Sequence, residues 1–189
     1  MLGTGSESTS AEGRLAKAKR YLEKLREIHP NIGADLHARR EFVDLAEDCL
    51  VSLRSVPDHR LHEANESFGL GVDVSKPLFE RTYRKIAVGN QPALTYLDWH
   101  VAEQKAIETT STYGLQLDRR DLAVHRVDTR LNPNIVVYLG SSKPSRTYWG
   151  FPEIPYRDAL DVLEELTTRM EKFVKDSDER LHPVGDASE

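Results

Sequence analysis

The chain has 189 residues, of which 39% are hydrophobic and 30% charged, and its net charge is −5. This composition excludes a disordered acidic polymer and predicts one domain that can bury a hydrophobic core. Proteins that coat nucleic acid are usually basic, so the negative balance argues against bulk nucleic-acid binding, although not against a local site built from a few cations.

The first third of the chain predicts a flexible tail and two long helices. Residues 1–12 are expected to form the tail, and apolar residues from Leu15 to Ile28 then recur every three or four positions, which predicts a helix over about 13–28. The sequence His29-Pro30-Asn31 is expected to end it. A second helix is predicted from near Gly33 to near Ser55. Its apolar stripe comprises Leu36, Phe42, Val43, Ala46, Leu50 and Leu53.

Pro57 is expected to break the second helix, because a proline ring disfavours helical backbone in the preceding residue. Residues 61–74 are therefore predicted to be irregular. A shorter helix is predicted over 76–88, with Leu78, Phe79, Ile86 and Ala87 as its apolar members. The fourth helix begins near Pro92, which suits a first turn. It reaches about Tyr113, and its pattern allows it to continue past Gly114 to Val127.

The pattern then changes to β-branched and aromatic residues. Residues 135–139 and 146–151 flank a turn-forming stretch, which predicts a β-hairpin over about 135–151. A last amphipathic helix follows, and residues 179–189 are expected to be a second flexible tail. The predicted fold is thus mainly α: an up-and-down bundle of about five helices over residues 13–178, with the hairpin inserted before the last helix.

Localisation is predicted from three features. The longest apolar runs are too short to span a bilayer, and residues 1–10 lack the basic and apolar regions of a secretory signal. The single cysteine, Cys49, cannot form an intrachain disulfide and is typical of a small buried residue. We therefore expect a cytoplasmic protein with no membrane segment.

The segment from Arg119 to His125 carries the strongest chemical signal. Arg120 and His125 are five positions apart, which on a helix turns through about 140° beyond one full turn, so their side chains lie on neighbouring flanks. A guanidinium holds a phosphate through a planar fork of donors, and an imidazole transfers protons near neutral pH. Cleavage of RNA at its own 2′-hydroxyl needs both tasks and no metal.

In its helical setting this constellation resembles the site of the HEPN superfamily, a group of RNA-cleaving and nucleotide-associated helical bundles. Members carry Arg, then four to six residues, then His, often with a polar residue directly after the Arg. Asp121 occupies that polar position here. The resemblance in helix order covers roughly residues 14–175, whereas the specific motif is six residues long.

The resemblance implies an endoribonuclease that uses no metal and no cofactor and acts as a homodimer with two facing motifs. Arg120 would bind the scissile phosphate and His125 would act as acid and base, with Arg119, Asp121 and Arg126 contacting RNA. A defence or toxin–antitoxin setting is also implied, with an antitoxin or a nucleotidyltransferase as partner. Many members have lost activity, so a non-catalytic module that dimerises or holds a partner is the alternative. That alternative predicts an exposed apolar face on a long helix.

The hairpin offers a second group of candidate RNA contacts. Lys143 and Arg146 stand close in sequence to Tyr148 and Trp149, and a mixture of cations and aromatic rings can touch phosphates and stack on bases. The alternative is that the aromatic side chains simply pack on the bundle. We favour packing for the rings and keep both cations as candidate substrate contacts.

Other histidines give weaker signals. Arg54 and His59 repeat the motif spacing, but we set them aside because the predicted break at Pro57 separates them. His59 and His62 could bind a metal, although a solvated loop explains them more simply. His100 precedes Glu103 in the reverse of the order used by di-iron bundles, and no second copy exists. No metal site is therefore predicted.

Overall fold

This computed structural model describes residues 10–111, 131–136, 146–151 and 157–182. Over these ranges the chain is mainly helical, and two short strands precede the last helix, so the predicted fold class is confirmed. The helices are α1 (Ala11–Ile28), α2 (Leu36–Ser67), α3 (Glu80–Ile86), α4 (Gln91–Ser111) and α5 (Ala159–Leu181). The strands are β1 (Asn132–Val136) and β2 (Arg146–Gly150).

Helix α1 begins two residues earlier than predicted. Ser10 has extended backbone and its hydroxyl accepts a hydrogen bond from the N–H of Gly13 at 3.0 Å, which makes it an N-cap. Ala11 is fully buried. The predicted tail is therefore wrong for residues 10–12. The predicted end is confirmed, because α1 stops at Ile28 and a 3₁₀ turn over His29–Asn31 leads into α2.

Helix α2 is a single helix of 32 residues, and the predicted break at Pro57 is wrong. A proline inside a helix costs about 3 kcal/mol, because its ring removes one N–H and crowds the preceding turn. The apolar stripe continues on both sides of the proline, and Val56, Pro57, Leu61 and Ala64 are all buried. Burial of this second half outweighs the local cost. By contrast, the predicted core residue Leu36 is largely exposed at the first position of α2.

After α2 ends, the chain turns back, and the side chain of Asn65 holds this turn through two hydrogen bonds to the backbone of Val72. The side-chain amide of Asn65 donates to the carbonyl of Val72 at 2.9 Å, and its oxygen accepts from the N–H of Val72 at 3.0 Å. Gly69 has φ 63°, which an L side chain adopts only with strain. The irregular segment predicted over 61–74 is thus wrong as far as Ser67, where α2 ends.

Helix α3 is shorter than predicted and turns different residues inward. Tyr83 and Ala87 are fully buried, and Leu78 is buried just before the helix. Phe79 and Ile86, which we expected in the core, are exposed. The side-chain oxygen of Asn90 caps α4 by accepting a hydrogen bond from the N–H of Ala93 at 3.1 Å.

The two strands pair in the antiparallel sense, with Asn132 opposite Gly150 and Val136 opposite Arg146. This confirms the pairing of the predicted hairpin, although β1 begins before residue 135; its predicted turn lies outside the described residues. The next residue after β2, Phe151, is buried in the bundle, and Trp149 packs against the same core. The hairpin base is therefore anchored to the helices.

The helices enclose two adjoining cores. The main core lies between α1, the first half of α2 and α5, and the second lies between the end of α2, α3, α4 and the end of α5. Trp99 of α4 contacts both cores. Its ring stacks on Phe173 of α5 with centroids 5.4 Å apart. In the described part of the chain, no helix combines the length and the apolar character that a membrane crossing needs.

Candidate functional site

The residues predicted to carry the chemistry fall almost entirely outside the described residues. This holds for Arg119, Arg120, Asp121, His125 and Arg126. Lys143, predicted as a further RNA contact, also lies outside them. Arg146 is the first residue of β2 and pairs through its backbone with Val136. The convergence of Arg120 and His125 therefore stays a prediction.

The described residues nearest the motif place the two ends of its segment. Ile107, in the last turns of α4, is buried in the main core. Leu131, immediately before β1, is buried in the same core. Described residues on both sides of the segment that contains Arg120 and His125 are therefore buried in the main core.

The second Arg–His pair, Arg54 and His59, must be reconsidered because α2 does not break at Pro57. Both residues lie on one continuous helix. The Nε2 atom of His59 accepts a hydrogen bond from Nε of Arg14 at 3.1 Å. Because arginine only donates, this nitrogen carries no proton, and its lone pair is already used inside the protein. His59 also belongs to a helix rather than the solvated loop that we expected.

An imidazole–carboxylate pair lies where α1, the hairpin and α5 meet. His29 Nε2 donates to Oδ1 of Asp158 at 2.8 Å. The same carboxylate caps α5 by accepting from the N–H of Leu160 at 3.0 Å, and its other oxygen accepts from the N–H of Trp149 at 3.4 Å. Burial alone would raise the pKa of Asp158, but the hydrogen bonds and the charge of His29 outweigh burial and lower it. The Asp158 carboxylate thus accepts hydrogen bonds from the turn after α1, from α5 and from β2, and its role is structural.

The Trp149 ring is also used in packing. The guanidinium of Arg39 lies 4.0 Å from its centroid, a cation–π contact, while Nε of Arg39 donates to the carbonyl of Ile32 at 3.0 Å. The Trp149 side chain is half-buried against the main core. This confirms the packing interpretation for Trp149, so its ring is not offered to a base.

A buried charge cluster lies on the second half of α2, which the sequence analysis did not identify. Arg60 is only 3% exposed, and its guanidinium pairs with Glu12 of α1, Glu63 of α2 and Asp178 of α5. The last two contacts measure 2.8 Å. Burial alone would lower the pKa of Arg60, but the three carboxylates raise it. Burial raises the pKa of Glu63 above its ordinary value. The cluster joins three helices; we name it the Arg60 cluster.

A signal for this cluster was present in the sequence. Arg60 follows Val56 by four positions and Leu53 by seven, so it continues the apolar stripe of α2. A charged residue in a core stripe usually needs buried partners. A helix break at Pro57 would leave Arg60 outside the stripe, and the continuous α2 places it inside.

His100 is the second buried polar residue near Pro57. It is 1% exposed, its Nε2 donates to the carbonyl of Pro57 at 3.0 Å, and its ring meets the edge of Phe173 at 5.3 Å. Its Nδ1 atom is buried and has no partner in the described part of the chain. Burial lowers the pKa of His100 to about 4. The imidazole is therefore neutral at physiological pH.

Cys49 is fully buried, as predicted, and its thiol donates to the carbonyl of Ala18 at 3.6 Å. Burial raises the pKa of the thiol to about 12, so almost no thiolate forms at neutral pH. We expect a thiol reagent such as Ellman's reagent to label the native protein no faster than it unfolds, and to label it at once in concentrated guanidinium chloride. Rapid labelling of the native protein would contradict this burial.

Among the residues that the structure describes, no group of three or more His, Cys, Asp or Glu side chains is arranged to hold a metal ion. Comparison with known proteins adds no relative: no protein-family model, no curated protein and no solved structure matches the chain.

Proposed function

We propose that this chain is a HEPN-like, metal-independent endoribonuclease that cleaves RNA as a homodimer. The observation that carries the proposal is the Arg120-Asp121 pair followed by His125, in a mainly helical protein. Further support comes from Ile107 and Leu131, which anchor both sides of the motif segment to one core. A defence or toxin–antitoxin role in the cytoplasm, with an antitoxin or nucleotidyltransferase partner, is part of the same proposal.

The proposed chemistry assigns one task to each side chain. His125 of one copy removes the proton from a 2′-hydroxyl, whose oxygen attacks the adjacent phosphorus. The bond from phosphorus to the 5′-oxygen breaks, and the His125 of the second copy gives that oxygen a proton. Arg120 stabilises the negative charge that gathers on the phosphoryl oxygens. The products are a 2′,3′-cyclic phosphate and a free 5′-hydroxyl.

The test is cleavage of a labelled RNA in excess EDTA by the wild type and two matched histidine variants. Loss of general acid–base catalysis costs about 10²–10⁴-fold in rate, so we expect His125→Ala to lose at least about 100-fold. His59→Ala removes the histidine of the other Arg–His pair and should keep cleavage, because its Nε2 is already bound to Arg14. Circular dichroism and thermal unfolding check that both variants fold.

Two further measurements separate this chemistry from contamination. A substrate with a single 2′-deoxy nucleotide at the cleaved position should resist cleavage, because the nucleophile is missing. Arg120→Lys keeps the charge but loses the bidentate fork and should cut more slowly than the wild type. Undiminished cleavage by His125→Ala, or cleavage that disappears with EDTA, would refute the proposed nuclease.

The second candidate function is a non-catalytic module that dimerises or binds a partner. Exposed apolar side chains around α3, including Phe79 and Ile86, favour it. Leu36 and Val51 are also exposed on α2, one of the long helices on which this alternative predicts an exposed apolar face. This alternative predicts no cleavage at any pH by a folded wild-type protein.

A further inference from the structure

The chain between α2 and α4 forms a strap on the second core. We define the strap as residues 73–89, which include α3. All but three of its residues are exposed, and the three buried ones, Leu78, Tyr83 and Ala87, belong to the second core. Few buried side chains therefore oppose the backbone entropy that the strap loses when it is ordered. Segments of this kind open locally more readily than the helices of a core.

The residues that flank the strap are fixed to the bundle by asparagine side chains. Asn65 of α2 holds Val72 through two hydrogen bonds, at 2.9 and 3.0 Å. On the other side, the amide of Asn90 donates to the carbonyl of Phe68 at 3.3 Å, and the ring of Phe68 packs on Tyr96 with centroids 5.9 Å apart. Because both flanks are held by contacts outside the strap, the residues between them can leave the core without displacing α2 or α4.

Two features weaken the closed position of the strap. Arg84 pairs with Asp98 of α4 at 2.8 Å, but both side chains are substantially exposed, so water and salt screen the pair. The hydroxyl of Tyr83 is buried and has no hydrogen-bond partner within the described ranges. Burial of a hydroxyl without a partner disfavours the closed strap, whereas opening returns it to water.

We propose that the strap is a lid, which opens from the second core while the helical bundle stays folded. Opening removes the cover that Leu78, Tyr83 and Ala87 give to this core. The apolar members of the core on α2 and α4 are Leu61, Ala64, Ala93, Tyr96 and Leu97. The inference does not use Arg120 or His125, so it stands or falls separately from the proposed nuclease.

Trypsin measures the opening, because three of its sites, Arg81, Arg84 and Lys85, lie inside α3. A protease cuts a helix after local unfolding, and when reclosing is fast the cleavage rate follows the open population. We expect trypsin to cut within α3 before it cuts α1, α2 or α5. The rate should depend on urea much more weakly than global unfolding does, because opening exposes little surface. Mass spectrometry locates the cuts, and circular dichroism measures global unfolding.

Two variants test the forces that act on the strap. Tyr83→Phe removes the unpartnered hydroxyl and keeps the ring, so it should slow cleavage within α3 by about fivefold or more. Asp98→Asn breaks the pair with Arg84 without changing the strap, and should speed cleavage by at most about fivefold at low salt and less at high salt. The matched control is Tyr21→Phe, which removes a half-buried tyrosine hydroxyl on α1 and should leave this cleavage unchanged.

The inference is overturned if cleavage within α3 has the urea dependence of global unfolding, because the strap would then leave the core only when the bundle unfolds. Cutting of α1, α2 or α5 before α3 would also overturn it. So would wild-type cleavage rates in both Tyr83→Phe and Asp98→Asn, since neither contact would then bear on closure. Thermal unfolding of every variant checks that the bundle itself is folded.

Discussion

Replacing Arg60 with alanine is expected to cost about 3 kcal/mol of the free energy of unfolding. The guanidinium is almost fully buried and is the shared partner of Glu12, Glu63 and Asp178. Removing the cation of a buried pair typically costs 3–5 kcal/mol, because the remaining charges lose their compensation. Glu12 and Asp178 are about half exposed, so water compensates part of the loss and the lower end of this range applies.

Urea unfolding at pH 7 measures this loss, and Arg169→Ala supplies the matched control. Arg169 pairs with Glu165 one turn away on α5, and both side chains are partly exposed. Exposed pairs contribute about 1 kcal/mol or less, so this control should stay near the wild type. Equal losses in the two variants would show that the Arg60 cluster contributes no more than a surface pair.

A second variant, Arg60→Met, separates charge from packing, because methionine keeps much of the apolar stem. The charge of Arg60 lowers the pKa of Glu63 and the charge of Glu12 raises it, so loss of the cation raises the pKa of Glu63 further in the folded state. A raised carboxyl pKa makes the folded state bind protons more readily than the unfolded chain as pH falls. The deficit relative to wild type should therefore shrink between pH 7 and pH 4.5. A deficit that stays constant over this range would indicate packing alone.

The sequence was most informative where periodicity and capping agree. The pattern from Leu15 to Ile28 places α1 correctly, because each of its apolar residues serves one continuous core. The end of α1 was also predictable, since a proline directly after a helix cannot continue its hydrogen bonding. Ser10 is a favourable N-cap, but the predicted start was placed at Gly13, and the cap was missed.

The errors arise where tertiary contacts outweigh local preference. Pro57 satisfies the rule for a helix break, yet burial of the turns that follow and the bond from His100 to its carbonyl favour one helix. The order of apolar residues around α3 could not show which would be covered. Tyr83 is buried in the second core, whereas Phe79 and Ile86 are exposed, and the packing of α3 on α4 decides which residues are covered.

The candidate site was predictable as a chemical pattern but not as a geometry. Arg120 and His125 were predicted from their spacing and side-chain chemistry, and their convergence stays a prediction because both lie outside the described residues. Arg54 and His59 illustrate the difficulty, because the same spacing occurs on α2, where Nε2 of His59 is bound to Arg14. A spacing rule therefore needs the neighbours of each side chain before it indicates catalysis.

His100 should make the protein less stable as pH falls from 6.5 to about 4. Its pKa in the folded state is lowered to about 4, whereas an unfolded histidine titrates near 6.5. Within this window the unfolded chain binds a proton that the folded protein does not. The free energy of unfolding therefore falls by up to about 1.4 kcal/mol per pH unit, or about 3 kcal/mol over the window. Below about pH 4 the folded protein binds the proton too, and this contribution levels off.

The variant His100→Gln tests this assignment, because glutamine is uncharged and can still donate to the carbonyl of Pro57. Urea unfolding at pH 7.5, 6.5, 5.5 and 4.5 should show that the free energy of unfolding falls less with pH in the variant than in the wild type. The control is His182→Gln, since His182 is exposed at the end of α5 and its loss should keep the wild-type slope. If His100→Gln kept that slope, another group would be responsible. A further variant, His100→Phe, tests the hydrogen bond to the carbonyl of Pro57. Phenylalanine fills the space without a donor, so this variant should be less stable than His100→Gln at pH 7.5.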